Sequence, residues 1–299
     1  MVLNTVQLKN EIKWLNKVKR NCNCPENHLS CISAKDWTRN MIGVWEFDYE
    51  KRDLRDKKIH PAVFPISLAK KVISIYTHKG EVVLDPFNGV GTTLVAAKDL
   101  ERHAIGIDLN PHYCKIAQDR LQFTTLDQFL SDEKEEYNYE VIIDDAMNLL
   151  DYIPQNSIDL VFTSPPYANI LDKPRTNKSK HSKKRRDNRI GVVEQYSEDK
   201  RDLGTKKPDD FIKSLQSTCT RLHTVLKPKK RLIINIRDVV PFFIQPVLIP
   251  SIEKINFQLK NIVVWDKRKL IQNMGIFGWP SNFIVLNSAY EYIFEFIKV

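Results

Sequence analysis

Residues 81–93 read Glu-Val-Val-Leu-Asp-Pro-Phe-Asn-Gly-Val-Gly-Thr-Thr, and their pattern is typical of an α/β fold. Its first five residues are an apolar run that predicts a buried strand, and an Ala/Leu-rich helical pattern follows the two threonines. Gly89 and Gly91 allow the connecting backbone to turn tightly and to approach a ligand at the helix N-terminus. The stretch therefore predicts a strand–loop–helix unit of a doubly wound α/β domain, with a ligand at the loop.

Strand-like and helix-like segments alternate along the rest of the chain. Seven strands are predicted, at residues 81–85, 103–109, 140–143, 158–162, 231–236, 261–265 and 291–298. Helical patterns cover residues 66–77, 91–101, 111–122, 209–226 and 247–256. Because segments of crossover length separate the first five strands, we expect a mostly parallel sheet with helices on both faces.

Composition limits the class of protein. The chain has 299 residues, of which 42% are hydrophobic and 28% charged, and this is ordinary for a globular protein with a full core. No apolar run approaches the roughly 20 residues of a membrane span, and the start MVLNTVQLKN lacks a signal-peptide core. We therefore expect a cytoplasmic protein with no membrane partner.

The net charge of +9 is concentrated in one segment. Residues 172–189 contain nine Lys/Arg against two Asp. One interpretation is a solvated, disordered loop, and the other is a segment that binds nucleic-acid phosphates. The two are compatible, because such a loop can order on binding. The candidate phosphate-binding residues are Lys183, Lys184, Arg185, Arg186 and Arg189.

The cysteines predict neither disulfides nor a metal. Five occur, an odd number, and no secretory signal accompanies them. Cys22, Cys24, His28 and Cys31 lie close together in sequence, but Cys-x-Cys followed by a single His and Cys does not match the usual zinc spacings. We therefore expect reduced thiols and no metal site.

Residues 163–167 read Thr-Ser-Pro-Pro-Tyr and directly follow the predicted strand 158–162. Two prolines cannot continue a strand or enter a helix interior, so the chain leaves the sheet as a stiff, extended turn. A hydroxyl, backbone carbonyls and an aromatic ring are thereby held where ligands bind in open α/β sheets. This arrangement suits an exocyclic amino group on a flat base. The candidate catalytic residues are Ser164, Pro165, Pro166 and Tyr167.

The glycine loop does not fit a dinucleotide. A third glycine would be needed where Leu94 stands, and no phosphate-loop Lys follows. Asp85 brings a carboxylate to the loop, which disfavours pyrophosphate and suits the cationic S-adenosylmethionine. Asp108, after the second strand, is a candidate acceptor for ribose hydroxyls or, alternatively, a helix N-cap. Asp145, after the third strand, could accept from an adenine amino group or be a simple turn acid.

DPFNGVGTT, GIDLNP and TSPPY, in this order, resemble the motifs of the amino-methylating DNA methyltransferases. These enzymes transfer methyl from S-adenosylmethionine to cytosine N4 or adenine N6. The segment 60–65, His-Pro-Ala-Val-Phe-Pro, resembles the family's remaining cofactor motif, and 290–296 its terminal hairpin strand. The glycine loop, the carboxylates that follow the strands and this resemblance together imply a cofactor site of ten residues: His60, Pro61, Asp85, Phe87, Gly89, Gly91, Thr92, Thr93, Asp108 and Asp145.

The resemblance covers about residues 40–299 and implies a Rossmann-like, seven-stranded methyltransferase sheet with an antiparallel last strand. We expect a partly helical extension over 1–59 and a catalytic domain over 60–299. The cofactor motifs precede the catalytic motif, which is a permuted order relative to many relatives with SPPY. No separate C-terminal recognition block is evident, so contact with double-stranded DNA is expected from the basic insertion at about 168–208.

Ser164 favours cytosine N4, because adenine-specific relatives usually carry Asp or Asn there. N6-adenine methylation, methylation of an RNA or protein amino group, and a non-catalytic DNA-binding module are the alternatives. We expect the modification half of a restriction–modification system, with a cognate endonuclease as functional partner. His60 could be a catalytic base or lie beside the cofactor. Asp238 could hydrogen-bond to the catalytic site or cap a helix. The loop 266–282 could contact DNA or simply connect two strands.

Overall fold

A computed structural model of the chain describes residues 10–25, 27–50, 53, 63–122, 137–166, 199–238, 243–271 and 289–299. Several residues predicted from the sequence to form the site lie outside these ranges: His60, Pro61, Tyr167, Lys183, Lys184, Arg185, Arg186 and Arg189. Most of the basic insertion and of the loop 266–282 also lies outside them.

The described residues form one eight-stranded sheet in the order β1-β7-β8-β6-β5-β2-β3-β4. Its strands are β1 (Val44–Glu46), β2 (Val82–Asp85), β3 (His103–Asp108), β4 (Tyr139–Ile143), β5 (Ile158–Thr163), β6 (Leu226–Ile236), β7 (Phe257–Asp266) and β8 (Tyr290–Lys298). β8 runs antiparallel to both of its neighbours, and every other neighbouring pair is parallel. This confirms the predicted mostly parallel sheet with an antiparallel last strand.

The eighth strand is β1, which the sequence did not predict. It has three residues, of which only Trp45 is buried, and it pairs in parallel with β7 at the sheet edge. So short a segment carries no readable alternation, and pairing with β7 is what makes it a strand. The N-terminal extension therefore contributes to the central sheet.

Six α-helices accompany the sheet in the described part of the chain: α1 (Ala34–Asn40), α2 (Ile66–Tyr76), α3 (Thr92–Asp99), α4 (Pro111–Gln122), α5 (Pro208–Val225) and α6 (Gln245–Glu253). The five predicted helices are confirmed, with α6 ending three residues early. The turn after it brings Asn256 to φ 62°, a left-handed conformation that a helix cannot include. None of these helices combines the length and the apolarity that crossing a membrane requires.

Hydrophobic residues pack on both faces of the sheet, as a doubly wound fold requires. Val82 and Leu84 of β2 join a core with α5 and α6, whereas Val83 faces a second core with α2 and α3. This alternation follows from the two-residue period of a strand. Full burial of each Leu or Ile stabilises the fold by about 1.5–3 kcal/mol. The two cores fix the strands whose carboxyl ends carry the candidate site.

Candidate functional site

An open cleft lies at the carboxyl ends of β2, β3, β4 and β5. β2 pairs with β3 on one side and β5 on the other, so the chain direction across the sheet switches here, where ligands bind in such folds. The cleft brings together residues from the segments that carry HPAVFP, DPFNGVGTT, GIDLNP and TSPPY. Those lining it include Val63, Phe64, Phe87, Gly89, Thr92, Asp108, Asp145, Ser164, Pro165 and Pro166.

Asp85 lies beneath the loop instead of lining the cleft. Its buried carboxylate accepts hydrogen bonds from the Thr93 hydroxyl at 2.6 Å, the Thr163 hydroxyl at 2.7 Å and the Phe87 amide at 3.1 Å. Burial raises the pKa of Asp85 to about 6, although the three hydrogen bonds act in the opposite direction. The sequence predicts that Asp85 and Thr93 face the ligand, but neither lines the cleft, and both support the loop from behind.

The two loop glycines have different functions. Gly89, at φ 50°, lines the cleft and donates its backbone N–H to Asp108 Oδ2 at 2.7 Å. Gly91 is the N-cap of α3 at φ 80°, and a Cβ there would lie 2.7 Å from the Cβ of Ala117. Gly91 therefore permits the left-handed turn and the close packing of α3 on α4, without itself lining the cleft.

Asp108 lines the cleft at the end of β3. Its Oδ1 accepts the backbone N–H of Asn110 at 2.9 Å, and its Oδ2 accepts that of Gly89. Burial raises the pKa of Asp108 to about 6, opposed by these hydrogen bonds and assisted by the charge of Asp202. Each carboxylate oxygen has a second acceptor position, so the turn-capping interpretation and the ribose interpretation can hold together.

Asp144 and Asp145 both line the cleft at the end of β4. Burial alone would raise the pKa of Asp144, but hydrogen bonds from Asn148 and Tyr152 lower it below its usual range. Asp145 Oδ1 accepts the Met147 amide at 2.9 Å and so caps a 3₁₀ helix. Asp145 Oδ2 accepts no hydrogen bond from the described residues. Asp145 is thus both a turn acid and an available acceptor.

Ser164 is half-buried at the end of β5, where its hydroxyl belongs to a polar network that the sequence analysis missed. Asn235 Nδ2 donates to Ser164 Oγ at 3.4 Å and to Glu291 Oε2 at 2.8 Å. Lys267 Nζ donates to Glu291 Oε1 at 2.5 Å. Asn235 and Glu291 are buried. A signal existed in the sequence, because both residues interrupt otherwise apolar strands.

Arg201, Asp202 and Leu203 complete the cleft wall. Asp202 accepts the Gly204 amide at 2.7 Å, and burial raises the pKa of Asp202. Arg201 makes an ion pair with Asp199 at 2.6 Å. Among the residues that the structure describes, the cleft wall therefore carries four carboxylates and one guanidinium that already has an anionic partner, which favours a cationic ligand. The four carboxylates belong to Asp108, Asp144, Asp145 and Asp202.

Asp238 is a turn cap. Its Oδ1 accepts the backbone N–H of Ile244, at the start of α6, at 2.7 Å, and its Oδ2 accepts from the Tyr292 hydroxyl at 3.4 Å. It does not line the cleft. This agrees with the capping alternative.

Three cations that could have contacted DNA have carboxylate partners within the chain. Lys267 pairs with Glu291, Arg268 with Asp266 and Lys269 with Glu46. These ion pairs tie the described part of the loop 266–282 to the edge of the sheet.

A family profile described as DNA methylase (N6/N4 methyltransferases) matches residues 4–119 and 158–299 of the chain. The chain is 39% identical over 82 residues to the Type II methyltransferase M.HpaI of Haemophilus parainfluenzae, covering 27% of this chain and 26% of that protein. It is 32% identical over 143 residues to the Type II methyltransferase M.HindIII of Haemophilus influenzae, covering 44% and 46%. The chain thus spans between a quarter and about half of the length of these curated relatives.

Among solved structures, the chain resembles a TehB-like SAM-dependent methyltransferase from Corynebacterium glutamicum, with 12% identity and a TM-score of 0.46. The similarity covers 83% of this chain and 95% of that one. The family profile, by contrast, covers most of the chain and includes the segments that carry DPFNGVGTT, GIDLNP and TSPPY. The chain therefore belongs to the DNA methylase family of amino-methylating N6/N4 enzymes, as its motifs predicted.

Proposed function

We propose that this protein methylates the exocyclic amino group of a base in double-stranded DNA, with cytosine N4 as the acceptor. The observation that carries the proposal is a single cleft lined by Ser164 and Pro165 on one side and by Gly89, Asp108 and Asp145 on the other. One cleft can therefore hold an amine acceptor and a nucleoside-type methyl donor together, as direct transfer requires.

The residues of the cleft fit S-adenosylmethionine, which when bound supplies an activated methyl group on a cationic sulfonium. Asp108 retains acceptor positions on both oxygens for the ribose hydroxyls, and Asp145 Oδ2 is available for an adenine amino group. Phe87 and the aliphatic Leu109 offer apolar contact for the adenine ring. The excess of carboxylates along the wall disfavours a phosphate and suits a ligand that carries positive charge.

Ser164 and Pro165 prepare the acceptor amine. The lone pair of an amino nitrogen conjugated to a base ring is delocalised, so the nitrogen is a weak nucleophile. Hydrogen bonds accepted by the Ser164 hydroxyl and the Pro165 carbonyl draw the amino group towards tetrahedral geometry and localise that lone pair. Asn235 orients the Ser164 hydroxyl, and Glu291 fixes the Asn235 amide, because a carboxylate can only accept.

The remaining parts of the proposal concern residues outside the described ranges. A base inside a duplex cannot reach the cleft, so the target base is flipped out at a cost of a few kcal/mol. Tyr167 would stack on the flipped base, with His60 and Pro61 beside the methionine end of the donor. Residues Lys183, Lys184, Arg185, Arg186 and Arg189 would contact phosphates, as part of an insertion at about 168–208 that serves target recognition.

Cytosine N4 is preferred over adenine N6 because Ser164 is a small, neutral acceptor. Adenine-specific members of the family usually carry a carboxylate or amide there. N6-adenine is the second candidate, since turns of the SPPY type also serve adenine. The relatives are Type II methyltransferases, which supports a role as the modification enzyme of a restriction–modification system with a cognate endonuclease.

A methyl-transfer assay with labelled S-adenosylmethionine tests the proposal, using duplex DNA, single-stranded DNA and RNA as separate acceptors. We expect label in duplex DNA, and N4-methylcytosine after digestion to nucleosides. Label in RNA alone would overturn the choice of nucleic acid, and N6-methyladenine would overturn the choice of base. Binding of the donor with no transfer to DNA that contains all short sites would support a non-catalytic module instead.

A further inference from the structure

Three cysteines of the N-terminal extension meet one histidine of the methyltransferase core. Cys22, Cys24 and Cys31 lie with His78 so that one ligand atom from each falls within 4.8 Å of all the others. The Sγ atoms of Cys22 and Cys31 are each 3.4 Å from His78 Nδ1. His78 is buried in the turn between α2 and β2, remote in sequence from the cysteines and outside the cleft lining.

The two sulfur–nitrogen separations of 3.4 Å are close to the edge of a tetrahedron around one metal ion, and the other ligand atoms lie within 4.8 Å of one another. With metal–sulfur bonds of about 2.3 Å and metal–nitrogen bonds of about 2.0–2.1 Å, tetrahedral ligands lie roughly 3.5–3.8 Å apart. The thiols are not paired as disulfides. Three thiols and an imidazole form a Cys₃His set, one of the usual structural zinc sites, and soft thiolates select zinc over magnesium or calcium.

The surroundings of the cluster also suit a metal. His78 Nε2 meets two groups, the backbone carbonyl of His28 at 2.9 Å and Nη2 of Arg20. In the tautomer that donates from Nε2 to the carbonyl, the Nδ1 lone pair is directed at the thiols. The backbone N–H of Lys79 donates to Cys31 Sγ at 3.4 Å. The guanidinium of Arg20 lies against the His78 ring and brings positive charge, which complements the net negative charge of three thiolates around a divalent ion.

Spacing along the sequence could not reveal this site, because the fourth ligand is distant in sequence. His28, which lies between the cysteines, contributes its backbone carbonyl to His78. His78 supplies the imidazole from 47 residues beyond Cys31. The fold, and not the local sequence, creates the set of ligands.

We propose that Cys22, Cys24, Cys31 and His78 bind one Zn²⁺ ion as a structural site that fastens the N-terminal segment to the core. The two parts are already in close contact, because the Asn21 amide donates to the Lys79 carbonyl at 2.8 Å. A Cβ at Gly80 would lie 2.6 Å from the Lys19 carbonyl. The metal cross-links this contact immediately before β2, whose carboxyl end carries the glycine loop. Four protein ligands leave no open position, so the ion has no catalytic step.

Metal analysis of the full chain tests this inference. After expression with added Zn²⁺ and gel filtration, elemental analysis and native mass spectrometry should give one zinc per chain. Cys22→Ser, Cys31→Ser and His78→Asn should each lose most of it. Cys114→Ser is the matched control for a cysteine outside the cluster, and His28→Ala is the matched control for the neighbouring histidine. Both should keep one zinc per chain.

Replacement of the metal by Co²⁺ tests the site in the folded wild-type chain, so the result does not depend on whether any variant folds. Tetrahedral coordination by three thiolates and one imidazole should produce intense visible d–d bands and sulfur-to-metal charge-transfer bands. A chain that retains no Zn²⁺ or Co²⁺ under reducing conditions would overturn the proposal. So would a disulfide between two of these cysteines in freshly isolated protein, or a His28→Ala variant that loses zinc while His78→Asn keeps it.

Discussion

The Thr163 hydroxyl donates a hydrogen bond to Asp85 Oδ1 across 2.7 Å and so joins the TSPPY turn to the glycine loop. The other oxygen of Asp85 accepts from Thr93 in the first turn of α3. One buried carboxylate thus ties together the end of β2, the end of β5 and the start of α3. Ser164 follows Thr163 directly, so this contact fixes the position of the acceptor side of the cleft relative to the donor side.

Thr163→Val tests this link. Valine keeps the shape of threonine but leaves the buried Asp85 carboxylate without one of its donors, which should lower the free energy of unfolding by about 1–3 kcal/mol. The methylation rate should fall as well, because the turn that carries Ser164 is no longer anchored. Chemical denaturation and kcat provide the measurements. Thr163→Ser retains the hydroxyl and should restore both, and a valine variant equal to the wild type would refute the link.

Ser164→Ala separates chemistry from binding. Loss of the hydroxyl removes one acceptor for the target amino group, so kcat should fall by at least about 100-fold. The affinity for S-adenosylmethionine, measured by calorimetry, should stay within about twofold, because the proposed donor contacts come from other strands. Loss of methylation together with loss of donor affinity would make Ser164 a folding or cofactor residue.

Asn235→Ala tests the positioning network. Without the amide, the Ser164 hydroxyl loses its orienting donor, and we expect kcat to fall by about 10–100-fold with little change in KM for the donor. Asn261→Ala is a matched control, since Asn261 Nδ2 also donates to a glutamate of β8, Glu295, at 2.5 Å. Asn261 does not line the cleft. Asn235 is buried and Asn261 is exposed, so the Asn261 variant should lose less stability and keep its kcat. An equal loss of kcat in both variants would contradict a positioning role for Asn235.

The pH dependence of donor binding follows from Asp108. The ionised carboxylate is the proposed acceptor of ribose hydroxyls, and burial raises its pKa to about 6. Below that pH the carboxyl group of the free protein is protonated and must lose its proton when the donor binds. Kd for S-adenosylmethionine should therefore rise by up to about tenfold for each unit that the pH falls below this pKa, and it should be constant above about pH 7.

Asp108→Asn is the control for this assignment, because the other carboxylates of the cleft wall, Asp144, Asp145 and Asp202, remain in place. The variant should bind the donor more weakly and with a flatter pH profile. A wild-type Kd that is constant between about pH 5 and about pH 7 would be inconsistent with the assigned role of Asp108.

Replacing the five basic residues Lys183, Lys184, Arg185, Arg186 and Arg189 by Ala tests the phosphate-binding proposal. Each lost phosphate contact should reduce the slope of log K against log salt concentration by about 0.9. DNA affinity should fall, while donor affinity should not change. Lys115→Ala is the control, because Lys115 already pairs with Asp119 on the surface of α4. An unchanged salt slope in the fivefold variant would indicate a solvated loop.

Local periodicity predicted most of the fold. The runs 81–85, 103–109 and 158–162 became β2, β3 and β5, because buried parallel strands need continuous apolar residues that are visible in the sequence. β1 could not be predicted in this way, since three residues become a strand only through pairing with β7.

Site residues that directly follow a strand could be predicted from the sequence. Residues that reach the site through contacts distant in sequence were missed. Asp108 and Ser164 line the cleft as their motifs indicated. Motif position could not reveal that the Asp85 carboxylate would face inwards to Thr163, 78 residues away. The same applies to Asn235, which reaches Ser164 from 71 residues away, and to His78 beside the cysteines.

Single-molecule sequencing of host DNA identifies both the methylated base and its sequence context. DNA should be compared from cells that express the wild-type chain, cells that express Ser164→Ala, and cells that lack the gene. We expect N4-methylcytosine in one short sequence motif with the wild type only. Host DNA without any new modified base, or with the same modification in the Ser164→Ala cells, would contradict the proposed function.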